Sequence, residues 1–153
     1  MREFSTPEFE QFLQQLQYYN ENRFGNLSPF FDAKFLLMES SDDPPSIITF
    51  AYPETEVDRA HINQPFNWEL ETAINQFFSH VKDFDGRSSS AVAGAFLSAL
   101  QSCIDLENSN LWEYVPDWQS TDELYDYIAF GFTYIIVNRN DARCLIVHGG
   151  YMD

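Results

Sequence analysis

The run Leu111-Trp112-Glu113-Tyr114-Val115-Pro116-Asp117-Trp118 sets large aromatic rings among carboxylates. Alternation brings Trp112, Tyr114 and Trp118 near one another, with Glu113 and Asp117 between them. Trp and Tyr anchor protein interfaces because they bury large area with few rotatable bonds. Carboxylates beside them meet Lys and Arg of a partner, speed encounter and fix register. A cation–π contact with an incoming Arg adds roughly 0.5–2 kcal/mol. This chemistry is recognition of a basic protein surface.

The charge extends well beyond that run. From Ser88 to Asn138 there is no Lys or Arg, while the stretch carries Asp105, Glu107, Glu113, Asp117, Asp122, Glu123 and Asp126. The expected partner-binding residues are Glu107, Trp112, Glu113, Tyr114, Asp117, Trp118, Asp122, Glu123 and Asp126. A secondary acidic cluster, Asp42, Asp43, Glu54, Glu56 and Asp58, brackets an expected hairpin and its exit loop. Whether the two stretches share a face is a question of tertiary structure.

Over the whole chain 24 Asp and Glu stand against 8 Lys and Arg, a formal net charge of −16. Folding does not need that excess, and self-repulsion opposes it. It argues against surface attraction to nucleic acid or to an anionic membrane. Disorder is also excluded, because 44% of residues are hydrophobic and fifteen are Phe. The 153 residues suit one domain, 1–153, which buries roughly 68–70% of its unfolded surface without a disulfide or metal. Cys103 and Cys144 lie in apolar runs and read as buried free thiols. With no signal-peptide pattern and no membrane-length apolar run, a cytoplasmic protein is expected.

Catalytic signatures are weak. His148-Gly149-Gly150 resembles an esterase oxyanion loop, but no Gly-x-Ser-x-Gly elbow accompanies it. A strand-end histidine followed by a flexible tail is expected instead. Asp83-Phe84-Asp85-Gly86 lacks the ligands of a calcium loop and ends a helical pattern. The histidines, His61, His80 and His148, are far apart, and no Cys-x-x-Cys or glycine-rich phosphate loop occurs. No catalytic residue, metal or cofactor is expected.

The elements that must carry these residues follow from periodicity and capping. Thr6 caps a first helix, with Pro7 at its first position and Phe9, Phe12, Leu13 and Leu16 at helical spacing. Phe31–Met38 and Ile47–Tyr52 read as two strands of a hairpin. A second helix follows Pro65, with Phe66, Leu70, Ile74, Phe77, Val81 and Phe84 on one face. A third runs from the serines at 88–90 to Leu106 and is apolar on most sides, which predicts a central position. Residues 107–119 read as irregular, with a short helix from Ser120 or Thr121 to Tyr127. Ile128–Val137 and Ala142–His148 form a second hairpin about Asn138–Asp141. The expected fold is α+β: an antiparallel sheet of about four strands, in the order α-β-β-α-α-α-β-β, with helices packed on one face.

In size, acidity and the segment from 107 to 126, the chain resembles the small acidic immunity proteins that bacteria encode beside contact-dependent or polymorphic toxins. The resemblance implies a cytoplasmic, non-catalytic inhibitor that neutralises one cognate toxin, with the basic groove of a nuclease domain as its target. It assigns no residue. Two other readings are a DNA-mimic protein that blocks DNA-binding enzymes and a small hydrolase using a carboxylate pair.

Overall fold

The computed structural model describes residues 1–21, 28–39, 42–54, 56–79, 89–115, 128–138 and 140–152. Along the chain these form β1 (Arg2–Glu3), α1 (Pro7–Glu21), β2 (Ser28–Leu37), α2 (Pro44–Ala51), a 3₁₀ turn (Arg59–His61) and β3 (Ile62–Asn63). Next come α3 (Asn67–Ser79), α4 (Ser89–Cys103), β4 (Ser109–Tyr114), β5 (Ile128–Asn138) and β6 (Arg143–Met152). The class is α+β.

Thr6 caps α1 as its sequence predicts, its hydroxyl accepting from the Phe9 N–H at 3.2 Å. The β-branched and aromatic run of β5 pairs with β6 in the expected hairpin. Its turn is closed by the Asn138 side-chain oxygen, which accepts from the Asn140 and Asp141 N–H groups at 2.7 and 3.2 Å. On its other side β6 meets β2, with Leu37 opposite Arg143 and Ser28 opposite Met152. The sheet has six strands in the order β1-β2-β6-β5-β4-β3, and every pairing is antiparallel.

The expected four-stranded sheet built from two hairpins, α-β-β-α-α-α-β-β, is therefore corrected. Ile47–Tyr52 is not a strand, because α2 occupies Pro44–Ala51. Asp43 is its N-cap, with Oδ1 accepting from the Ser46 N–H at 3.0 Å, and prolines stand at its first positions. That start signal outweighs the strand preference of Ile47, Ile48 and Thr49. Without that strand no first hairpin exists, and β2 pairs with β1 and β6. The stretch 107–119 is not wholly irregular, since it contains β4. Pro116 rules out a helix there but leaves the residues before it free to extend. The two-residue strands β1 and β3 are too short to show a period. The helix expected at 120–127, the end of the second expected helix and Asp83–Gly86 lie outside the described residues.

Alternation along the strands gives the sheet two buried faces. Phe35, Leu111, Phe132, Tyr134, Ile136, Leu145 and Val147 pack against Phe9 and Phe12 of α1, Leu70, Ile74 and Phe77 of α3, and Val92, Phe96 and Leu100 of α4. Leu36, Tyr114, Ile135, Cys144 and Ile146 pack on the opposite face against Ile47, Ile48 and Ala51 of α2. Helices thus cover both faces, not one. Each fully buried Phe, Ile or Leu contributes about 1.5–3 kcal/mol. α4 is not enclosed all round: Val92, Ala93, Phe96 and Leu100 are buried, whereas Ala91, Gly94 and Ser98 face solvent. Small residues let it lie close without requiring burial.

Polar contacts tie α2 to the sheet. The Lys34 ammonium donates to the Ala51 carbonyl at 2.6 Å, at the negative end of the helix dipole. It also lies 4.8 Å from the centre of the Tyr52 ring. The Tyr52 hydroxyl donates to Asp32 Oδ2 at 2.9 Å. His148, expected at a strand end, lies mid-strand and is buried, with Nδ1 2.7 Å from the Thr133 hydroxyl. β6 continues past it because Gly149 and Gly150 pair on both sides, with β2 and with β5. No described helix is long and apolar enough to cross a membrane.

Candidate functional site

Where the N-terminal end of α2 overhangs the outer sheet, a groove of about 500 Å³ remains. Asp42, Asp43, Pro44, Pro45, Arg59, Ile62, Asn110, Trp112 and Val137 line it. The floor follows from strand alternation. Asn110 and Trp112 share the α2 side of β4, and Asn110 stands opposite Val137 of β5. Trp112 is half-buried and packs on the α2 core cluster. One wall is the capped start of α2, and the other comes from the 3₁₀ turn and β3.

The carboxylates of the groove are fixed. The Ser46 hydroxyl donates to Asp43 Oδ1 at 2.6 Å, the Ser46 N–H bonds the same oxygen, and Arg59 Nη2 reaches Asp43 Oδ2 at 2.7 Å. Together they hold the Asp43 carboxyl down to about 2 against an ordinary 3.8, the Ser46 hydroxyl contributing most. Asp42 Oδ2 accepts from the Glu39 N–H at 2.6 Å. The groove thus offers an indole, two prolines, the Asp42 carboxylate and an Asp43 carboxylate already paired with Arg59. Such a surface suits a side chain with an apolar stem and a positive head.

The structure joins parts of the two acidic stretches: Trp112 from one shares the groove with Asp42 and Asp43 from the other. The remaining expected site residues separate. Tyr114, expected at the partner surface, is 1% exposed and belongs to the core, because the last residue of β4 turns its side chain under α2. Its hydroxyl reaches toward the Glu56 carbonyl at 3.5 Å. Glu113 points to the other sheet face. There burial first, and the Glu69 charge second, push its carboxyl up, while a hydrogen bond from Tyr134 opposes the rise. Glu107 is exposed ahead of β4, and its N–H donates to Asp105 Oδ1 at 3.1 Å. Glu54 and Glu56 are exposed after α2, and Asp58 caps the 3₁₀ turn through a 2.9 Å bond from the Ala60 N–H. Asp117, Trp118, Asp122, Glu123 and Asp126 lie outside the described residues. Arg59, Pro44, Pro45, Ile62, Asn110 and Val137 were not expected here. The signal available for the wall was Asp43-Pro44-Pro45-Ser46, a helix-start pattern.

Asp43, committed to Ser46 and Arg59, is a poor proton carrier, and the carboxyl that is pushed up, Glu113, is on the opposite face. Among the described residues no three His, Cys, Asp or Glu side chains gather as a metal ion would require.

No protein-family model and no curated protein matches this chain. Solved structures do. Two crystal forms of citrus MAF1 superpose with TM-scores of 0.66 and 0.72 at 11% identity. The matches cover 90% and 92% of this chain and 98% of MAF1 in each case. At that identity the likeness establishes a shared fold and carries no residue role.

Proposed function

We propose that this chain is a cytoplasmic, non-catalytic binding protein that neutralises a basic protein partner. A toxin nuclease domain fits best, because its nucleic-acid groove is the kind of cationic surface that an acidic domain occludes. The reading rests on one observation: Trp112 and the carboxylates of Asp42 and Asp43, from separate parts of a chain of net charge −16, line one groove. An aromatic anchor beside the Asp42 carboxylate, with Asp43 held by Arg59, suits a Lys or Arg side chain better than a small neutral substrate.

The test starts with the partner captured from the producing cell and identified. It should be a basic protein whose activity falls when this chain is added. Its association rate should drop steeply as salt is raised past the physiological level, where the screening length is about 8 Å. Asp42→Asn should slow association, and Trp112→Ala should speed dissociation. A captured partner that is acidic, or an association rate indifferent to salt, removes the reading.

A further inference from the structure

Two large rings stand in solvent at the start of α3. Phe66 and Trp68 are 69% and 61% exposed, and their rings stack at 10° with centroids 6.2 Å apart. Helical spacing shows that the exposure of Trp68 is built in. Leu70, Ala73, Ile74 and Phe77 form the buried stripe of α3, whereas Glu71, Thr72 and Asn75 are exposed. Trp68 belongs to the second set, since Glu71 and Thr72 follow it by three and four residues. The core therefore does not call for an indole there. Pro65, immediately before the pair, fixes the direction from which the chain enters. Two exposed rings held against each other form a contiguous apolar patch, the kind of surface that marks an interaction site.

The charges around the pair indicate its occupant. Between Arg59 and Lys82 the chain has no Lys or Arg, and its only acids there are Glu69 and Glu71. Glu113 of β4 approaches from the sheet: Tyr134 bonds both the Glu69 carbonyl, at 3.3 Å, and the Glu113 side chain. Glu69 and Glu113 repel each other, which adds to the upward push on the Glu113 carboxyl. Among the described residues no Lys or Arg pairs with Glu69, Glu71 or Glu113. A cation arriving here meets aromatic faces and uncompensated carboxylates together. A second copy of this chain or an anionic lipid surface would meet repulsion instead, since the net charge is −16. Resting on the binding reading above, we propose that Phe66 and Trp68 are a second anchor for the basic partner, and that Trp68 takes an arginine side chain of that partner. The guanidinium lies flat on the indole face that Phe66 leaves open, and Glu71, one turn on, accepts from its edge. Arginine fits better than lysine because its planar head stacks and donates at once. Ile62 of β3 lines the Trp112 groove and Phe66 comes soon after β3, so one partner lapping over this edge reaches both.

The probes are acetyl-hexaarginine-amide and acetyl-hexalysine-amide, which carry equal charge, titrated against the full chain at low salt. Charge alone attracts both, so the difference between them reports the stacking. The Trp68 side chain is exposed, and Trp68→Ala leaves the core intact. That change should weaken hexaarginine about two- to fivefold, the equivalent of a cation–π contact at an exposed site, and hexalysine by less than about twofold. Trp68→Phe, which keeps a ring, should recover more than half of the loss. At saturation with hexaarginine the indole N–H resonance of Trp68, assigned by its disappearance in Trp68→Phe, should shift. Equal weakening of both peptides by Trp68→Ala, an unchanged hexaarginine affinity, or an unmoved indole resonance overturns the arginine site. A concentration-dependent dimer, or binding to phosphatidylcholine vesicles, that Trp68→Ala abolishes would assign the pair to a second copy or to a lipid surface, and overturns it as well. None of these outcomes touches the neutralisation reading, which stands or falls on the captured partner. An acidic captured partner removes that reading and leaves the peptide result in place.

Discussion

Arg59 and Asp43 meet at 2.7 Å where the 3₁₀ turn faces the start of α2, so one carboxylate both caps a helix and holds the chain's own guanidinium in the groove. Asp43→Ala should lower stability by about 0.5–2 kcal/mol, the usual loss for a helix cap. The sign of the pH effect follows from its depressed pKa. The stabilisation is complete above the ordinary 3.8 and disappears as pH falls to about 2. Urea denaturation of both proteins across that window should show the gap closing. Arg59→Ala should change stability by less than about 1 kcal/mol, because its side chain is 73% exposed.

Glu113 should behave in the opposite sense. Its carboxyl is pushed up by burial and by Glu69, so the folded state holds its proton more tightly than the unfolded chain. Stability is then lost as pH rises from the ordinary carboxylate range through the raised value. Glu113→Gln should be the more stable protein at neutral pH, by less than about 1 kcal/mol because solvent screens a half-exposed carboxylate. The difference should vanish in acid, below the ordinary value of 4.5. Paired denaturation curves at neutral and acid pH measure it.

Gly94 sits inside α4 on its solvent side, and an added Cβ there would meet nothing within 4 Å. Gly94→Ala should therefore stabilise the fold by about 0.5–1 kcal/mol through reduced freedom of the unfolded chain. A rise in the denaturation midpoint with an unchanged slope is the expected result.

Burial pushes the Cys144 thiol up to about 12, with the Asp42 charge adding to it. Cys103 is raised too, again by burial first. A thiol-specific reagent at pH 8 should find almost no thiolate at Cys144 in the native protein. Labelling should proceed at the rate of opening, and both thiols should react at once in denaturant. Fast native labelling of Cys144 would contradict its buried position between Leu36 of β2 and Val137 of β5.

The sequence carried the hairpin of β5 and β6, the Thr6 cap and the buried positions Phe9, Phe12, Leu70, Ile74 and Phe77 of α1 and α3, because each is a local pattern, whereas Phe66, expected on the same face, precedes α3 and is exposed. It concealed α2, where three residues with strand preference follow a helix cap. Asp43 and the prolines decide the backbone, and the side chains fit the sheet from above. The neighbours of β2 were also hidden, since its long partner β6 comes last among the strands. At the site, charge and aromaticity drew attention to Trp112 and to the Asp42–Asp43 stretch. Which β4 side chain faces which layer depends on strand register, and that is why Tyr114 lies in the core and Glu113 across the sheet from the groove.

β6 occupies the middle of the sheet although the other five strands precede it in the chain. During synthesis β2 and β5 must wait, each with an unsatisfied backbone edge, until the residues up to Met152 have left the ribosome. The centre of the sheet is consequently the last part to assemble, and a nascent chain stalled before Arg143 would be a natural client for chaperones.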